Sequence, residues 1–152
     1  MNNQLIMEIS EKYNIVLDSE LNVYNVTIGN TIYLLSFNYD GTNLYTIHSV
    51  SVDGDDYTVH YESVNCFDVH QFIDVVNLHQ FNLLAISLGS VINENSDYHI
   101  HIKENSFIIF LYSKGRYYLM LHDIDCSLCP TILDSSVMPT FEFIKYIIHS
   151  LK

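Results

Sequence analysis

The two histidines His99 and His101, separated by one residue, are spaced like a pair of metal ligands. Alternate side chains of a strand point to the same face, so the two imidazoles would lie side by side. Zinc usually takes three or four protein ligands, and His122, Cys126 and Cys129 could supply the others. A single Cys-x-x-Cys motif lacks the second pair that makes a zinc signal strong. We therefore expect no bound metal and interpret these side chains as structural or exposed.

No other group of residues forms a recognisable catalytic pattern. The eight histidines are scattered, and none stands beside a serine or cysteine in a nucleophile elbow. The five glycines form no phosphate-binding loop. A redox role for Cys-x-x-Cys expects it to open a helix beside a parallel βαβ unit, whereas here it follows predicted strands and precedes Pro130. The sequence thus predicts a protein that is not an enzyme and needs no cofactor.

The net charge of −12, from 18 acidic and 6 basic residues, restricts the possible partners. Such a chain does not bind a phosphate backbone through its overall field, so nucleic acid is not an expected partner. The charge fits solubility alone, a basic protein partner or mimicry of a nucleic acid. The N-terminal residues lack a signal-peptide pattern, no stretch reaches the roughly 18 apolar residues of a membrane span, and the three cysteines form no even framework. A cytoplasmic location without membrane contact is expected.

Hydrophobic periodicity and turn residues predict one domain over residues 1–152, of the α+β class. An antiparallel sheet of about five to seven strands is expected, with N-terminal, middle and C-terminal helices packed on it. The predicted helices are 3–14, a middle helix from near Cys66 with Asn65 as N-cap to about residue 87, and 140–151 with Thr140 as cap. The predicted strands are 21–28, 31–38, 43–52, 57–63, 98–103, 106–112 and 116–123. Residues 81–92 could be helix or strand, and 130–139 is expected to be a loop.

Several predicted strands are apolar on both faces. Tyr33, Leu35 and Phe37 share one face of their strand, while Ile32 and Leu34 share the other. The segment "FIIFLY" around Ile108 has the same property. Such a sheet needs cover on both sides, and the three helices cover only one. The other face then meets a second copy of the chain or a foreign segment, unless the sheet closes into a barrel. Tyr33, Leu35, Phe37 and Ile108 are the candidate partner-binding residues.

The order of elements resembles a known family. A short amphipathic helix ending in "EKYNIVLD" precedes "LNVYNVTIGNTIYLLSF", a predicted hairpin whose second strand is rich in aliphatic and aromatic residues. A third strand, a middle helix, further strands and a C-terminal amphipathic helix follow. This layout resembles that of the class I chaperones of type III secretion systems, which are small, acidic, cytosolic proteins. The resemblance covers nearly the whole chain and lies in its pattern, without an invariant motif.

The resemblance implies a homodimer built largely through the middle helix and nearby strands, with Phe72, Val76 and Phe81 as the candidate interface residues. It also implies binding of an extended N-terminal segment of a secreted effector, which can add a strand to the sheet. It implies no enzymatic activity and no cofactor. The expected function is therefore that of a cytoplasmic chaperone that keeps a type III effector competent for secretion.

Other functions fit the same composition. An immunity protein that neutralises a secreted bacterial toxin is also small and acidic, and a basic nuclease toxin would explain the charge through electrostatic steering. An acidic phage-type inhibitor would place carboxylates at phosphate-like spacing on one surface, whereas the acidic residues here are dispersed. A metal-dependent enzyme is the least favoured alternative.

Overall fold

The structure is a computed structural model. It describes residues 4–19, 23–28, 31–37, 45–53, 56–59, 64–66, 69–92, 97–124 and 129–152. The chain divides into two compact units, Met1–Ile73 and Asp74–Lys152, and the division falls inside the middle helix. Each unit is treated by itself below. The single domain over 1–152 stays a prediction.

The described elements confirm the α+β class, with helices at the N-terminus, in the middle and at the C-terminus. The helices are α1 (Gln4–Lys12), α2 (Val69–Ser87) and α3 (Phe141–Leu151). The strands are β1 (Asn14–Asp18), β2 (Val23–Ile28), β3 (Thr31–Phe37), β4 (Tyr45–Asp53), β5 (Asp56–Val59), β6 (Val64–Cys66), β7 (Val91–Ile92), β8 (Tyr98–Lys103), β9 (Ser106–Ser113), β10 (Arg116–Asp123) and β11 (Thr131–Ser135).

The strands pair antiparallel, as expected, but they form two sheets where the sequence predicted one. The first sheet has the order β1-β2-β3-β4-β5, and β6 also pairs with β4. The second has the order β11-β10-β9-β8-β7. Short connections favour pairing between neighbours in sequence, and α2 interrupts the series of strands. Strands before α2 therefore pair among themselves, and so do the strands after it.

Most predicted boundaries agree with the structure, and three need correction. The first helix ends at Lys12 instead of residue 14, and Asn14–Asp18 is a strand because it pairs with β2 along its length. Asn65 lies in β6 and is not an N-cap, since α2 begins at Val69. The segment 130–139, expected as a loop, contains β11, whose pairing with β10 shifts register between Leu119 and Met120. In each case pairing between strands overrode the preference that the local sequence suggested.

The ambiguous segment 81–92 is resolved by a left-handed turn after α2. Gly89 has a φ of 92°, a conformation that suits a residue without a Cβ. Its N–H donates to the carbonyl of Ile86 at 3.0 Å, and the N–H of Ser90 donates to that of Ala85 at 3.0 Å. This pair of bonds is a Schellman motif, which satisfies the last carbonyls of a helix. The helix therefore stops at Ser87, and the chain continues into β7.

The first unit has its core between its sheet, α1 and the start of α2. Ile9, Tyr33, Leu35 and Phe72 are fully buried there. The Phe72 ring meets the ring of Tyr33 edge-on with centroids 6.4 Å apart, a geometry that aromatic quadrupoles favour. Alternation along β3 thus places Tyr33 and Leu35 on the covered face of the first sheet.

The second unit has its core between one face of its sheet and the helices α2 and α3. Phe81 of α2 and Ile144 of α3 are fully buried in it. The Phe81 ring lies 5.4 Å from that of Phe110 and 5.1 Å from that of Tyr117. We call this covered side of the sheet the inner face; its buried residues are Ile100, Ile102, Ile108, Phe110, Tyr117 and Leu119.

A polar contact at the rim of this core ties α2 to β9. The Tyr112 hydroxyl donates to a carboxylate oxygen of Asp74 at 2.7 Å and accepts from the Asn77 amide at 3.2 Å. Loss of solvent raises the pKa of Tyr112; the Asn77 bond opposes this rise, and the Asp74 carboxylate adds to it. The protonated phenol is thus the form that the fold uses to hold α2 against the sheet.

Candidate binding surface on the second sheet

The second sheet has a second apolar face, opposite the inner face. Because side chains alternate along a strand, the residues between the buried ones point away from α2 and α3. We call this side the open face; its residues are His99, His101, Phe107, Ile109, Leu111, Tyr118, Met120 and His122. Each of these side chains is partly or largely exposed. The open face is therefore an apolar strip that carries imidazoles.

Strand register sets the arrangement of the open face. Phe107 pairs with His101 of β8 on one side and with His122 of β10 on the other. The Phe107 ring meets the rings of His99 and His101 edge-on, at centroid distances of 5.3 and 5.2 Å. Beside this row, Ile109 pairs with His99 and with Met120. The imidazoles thus flank an aromatic and aliphatic centre and give it polar atoms that water or a partner can reach.

The strand β11 lies at one edge of this sheet, with no described strand beyond it. A hollow of about 360 Å³ adjoins it, lined by Leu133, Ser135, Val137, Met138, Pro139, Thr140 and Phe143. Val137 is 71% exposed and Phe143 is 47% exposed. Thr140 holds this corner in place, because its hydroxyl accepts from the Phe143 N–H at 3.2 Å and so caps α3. An edge strand beside an apolar hollow is the arrangement that extended peptides use to add a strand.

A smaller hollow of about 200 Å³ opens on the open face itself. It is lined by His99, Phe107, Ile109, His122 and Ile124. The Nδ1 atom of His99 is buried and has no hydrogen-bond partner among the described residues. The Nδ1 atom of His122 lies 3.1 Å from the Cys129 sulfur. The two histidines therefore bring polar atoms to an otherwise apolar hollow.

A third hollow, of about 680 Å³, lies beside α3 and the end of α2. Its lining includes Phe141 and Tyr146 but also the charged side chains of Glu142, Lys145 and Lys152. The Lys145 ammonium stands 5.7 Å from the centre of the Phe141 ring, a cation–π contact within the helix. No edge strand borders it among the described residues. It is the largest of the three but less suited to an extended apolar segment.

The candidate partner-binding residues from the sequence lie in the cores. Tyr33, Leu35 and Ile108 are fully buried, so they present no surface to a partner in this conformation. The Phe37 side chain lies outside the described residues. Sequence periodicity identified two apolar faces, but it did not tell which one the helices cover. The signal that marks the open face is the alternation of its histidines with aromatic and aliphatic residues on β8–β10.

The candidate dimer residues are also buried. Phe72 and Phe81 are fully buried, and Val76 is buried almost as completely. Among the described side chains of the middle helix, Leu78 is 36% exposed and Ile86 is 46% exposed. These two exposed side chains, unlike the buried ones, are accessible to a second copy of the chain.

The structure does not gather the histidines and cysteines into a metal site within its described part. No group of three or more His, Cys, Asp or Glu side chains there could hold a metal ion. Of the predicted metal candidates, it brings together His122 and Cys129, while His99 and His101 both contact the Phe107 ring edge-on. Cys126 lies outside the described residues.

None of the described helices is long and apolar enough to cross a membrane. No protein-family model matches the sequence, and comparisons with curated proteins and with solved structures gave no significant match.

Proposed function

We propose that this protein holds an extended segment of a partner protein against its second sheet, as a cytoplasmic chaperone for a type III secreted effector. The observation that carries the proposal is the open face. Its half-exposed side chains form a strip centred on Phe107, Ile109 and Leu111 that the helices leave uncovered. Contiguous exposed apolar surface of this kind marks interaction sites.

The neighbouring edge strand supports an extended ligand rather than a folded one. A segment that pairs with β11 would gain backbone hydrogen bonds along Thr131–Ser135. One of its side chains would enter the hollow next to Phe143, because alternate residues of an added strand point to the same side. Backbone pairing gives such a site affinity, and the hollow gives it selectivity for an apolar side chain.

The charge of the chain supports a basic partner. A net charge of −12 attracts a basic segment over a distance and speeds its encounter. The same charge favours the second candidate function, an immunity protein that binds a folded basic toxin. The two functions differ in the state of the partner: a chaperone binds an extended segment, and an immunity protein binds a folded domain.

The proposal includes a homodimer formed through α2. Leu78 and Ile86 lie two helical turns apart, so they fall on neighbouring parts of one helix surface. Apolar side chains exposed at this spacing suit a helix-to-helix contact between two copies. Light scattering of the purified protein should give twice the mass of one chain, and Leu78→Asp should return it to one.

Co-expression with the product of the neighbouring gene tests the binding function. We expect the two proteins to purify together, and Leu111→Asp to abolish the complex, because it places a charge at the exposed centre of the open face. Met7→Asp is the matched control, since Met7 is an exposed apolar residue of the first unit. A complex that survives Leu111→Asp, or that fails equally with Met7→Asp, would contradict the proposal.

A truncated partner separates the two candidate functions. The N-terminal segment of the partner, which has no folded domain, should bind as tightly as the whole protein if the chain is a chaperone. Binding that needs the folded toxin domain, with an on-rate that falls steeply as salt is added, would support the immunity function instead.

A further inference from the structure

We propose that Cys129 is a reactive thiol, activated by His122, that exchanges with small disulfides and is thereby modified. This inference is independent of the proposed function, because it concerns one pair of side chains and needs no protein partner. Cys129 is a free cysteine, partly exposed, and follows β10 in the sequence just before β11.

The geometry of the pair is that of a nucleophile and its base. The His122 Nδ1 atom lies 3.1 Å from the Cys129 sulfur, within hydrogen-bond reach. Two neutral tautomers of histidine are possible, and in the one with Nδ1 free the thiol donates its proton to the ring. Once the proton has moved, the imidazolium remains beside the thiolate and stabilises its charge. Attack on a disulfide requires the thiolate, so a neighbouring base increases the rate.

The backbone fixes this contact. His122 lies on β10, within the strand's pairing to β9, where it is opposite Phe107. The carbonyl of Pro130 accepts from the Leu121 N–H at 2.9 Å, which holds the residue after Cys129 against the strand that carries His122. Two anchored segments thus keep the sulfur and the ring together.

The surroundings leave room for the attached group. The His122 ring also lines the hollow of about 200 Å³ on the open face. The other lining side chains are those of His99, Phe107, Ile109 and Ile124, so the hollow is mainly apolar. A group of a few heavy atoms on the Cys129 sulfur therefore has mainly apolar space beside the His122 ring.

The exchange step balances without a further reactant. The Cys129 thiol gives its proton to His122 Nδ1, and the thiolate attacks one sulfur of a disulfide RSSR. A bond forms between the Cys129 sulfur and that sulfur, the original S–S bond breaks, and RS⁻ leaves. The leaving thiolate takes the proton from the imidazolium, so the products are the mixed disulfide of Cys129 and RSH.

The test uses the full chain with Cys66→Ser and Cys126→Ser, which leaves Cys129 as the only thiol. The probe is dithiodipyridine, a disulfide whose leaving group absorbs light. At pH 6, Cys129 should react with it at least about tenfold faster than the thiol of glutathione does. His122→Gln should remove this advantage, whereas His149→Gln, which changes an exposed histidine of α3, should leave it intact. A rate no higher than that of glutathione, or one unaffected by His122→Gln, would overturn the proposal.

The unaltered chain provides a second measurement if the double variant does not fold. With less than one equivalent of the same disulfide, peptide mass mapping should find the label first on Cys129. First labelling of Cys66 or Cys126 would also overturn the proposal.

Discussion

The two faces of the second sheet come from the same strands, yet they differ in solvent exposure and in the residue types that they carry. On β9, Ile108 and Phe110 point inward and are nearly inaccessible, whereas Phe107 and Leu111 point outward and stay partly exposed. The inner face contains only apolar and tyrosine side chains in its buried set, while the open face carries three histidines. Imidazoles can face either water or a protein partner, so an apolar strip that contains them can remain uncovered until a partner arrives.

The mixture of apolar and imidazole side chains suits the open face to docking. A core face needs no polar atoms, and burying one without a partner costs free energy. A docking face must stay in solution alone and still gain from being covered. Alternating Phe107 and Ile109 with His99 and His101 meets both needs, because the strip keeps apolar area and adds hydrogen-bonding atoms at its borders.

Truncating one phenylalanine on each face should give the largest difference between them. Phe110→Ala leaves a cavity in the inner core and should lower the free energy of unfolding by about 3–5 kcal/mol. Phe107→Ala removes a half-buried ring and should cost about 1–2 kcal/mol by the area that it covers. Urea unfolding of both variants checks this. Equal losses would mean that the open face is as tightly packed as the inner one.

Removing one tyrosine hydroxyl from each face should give an intermediate difference. Tyr112→Phe breaks the bonds to Asp74 and Asn77 and should cost about 1–2 kcal/mol, since the Asp74 bond involves a charged group. Tyr118→Phe changes a hydroxyl on the open face next to Arg116 and should cost less than about 0.5 kcal/mol. Thermal unfolding of the two variants would refute this ordering if Tyr118→Phe were the more damaging.

The smallest change in the free energy of unfolding is expected at the turn that joins β9 to β10. This turn belongs to neither face, so a substitution there affects both faces alike. Lys114 and Gly115 both have positive φ, at 51° and 81°, which is the conformation of a type I′ hairpin turn. This left-handed conformation is sterically unfavourable for lysine and less unfavourable for asparagine. Lys114→Asn should therefore raise the free energy of unfolding by a few tenths to about 1 kcal/mol. A lower free energy of unfolding for Lys114→Asn would contradict this and would mean that the lysine side chain itself stabilises the turn.

Sequence periodicity predicted most helices and strands of the second unit, but it did not predict which faces of the strands are buried. The strands 98–103 and 116–123 agree with the structure, because clear turn residues separate them. The helix end at about residue 87 also agrees, although local sequence left residues 81–92 open between helix and strand. The strand β11 was missed, since five residues between Pro130 and the segment that ends at Pro139 carry too little local signal. Its existence depends on pairing with β10, which lies outside any local window.

The sequence indicated a sheet with two apolar faces, but the described residues that it offered for partner binding, Tyr33, Leu35 and Ile108, are buried. An apolar pattern on both sides of a strand implies that something must cover each side, and this inference needs no structure. Choosing Tyr33, Leu35 and Ile108 as the exposed set required knowing where the helices pack, and they pack on those residues. The pairing of His122 with Cys129 depends on the path between β10 and β11 and could be named only as one of several possibilities.

Hydrogen exchange of the protein, alone and bound to the N-terminal segment of its partner, tests the docking surface most directly. If the segment pairs with the edge of the second sheet, amides of β11 should exchange at least about tenfold more slowly in the complex, because added backbone hydrogen bonds protect them. Amides of the first sheet, in β2 and β3, should be unchanged and serve as the internal control. Protection confined to the first sheet or to α2, with β11 exchanging as in the free protein, would contradict the assignment of the binding surface.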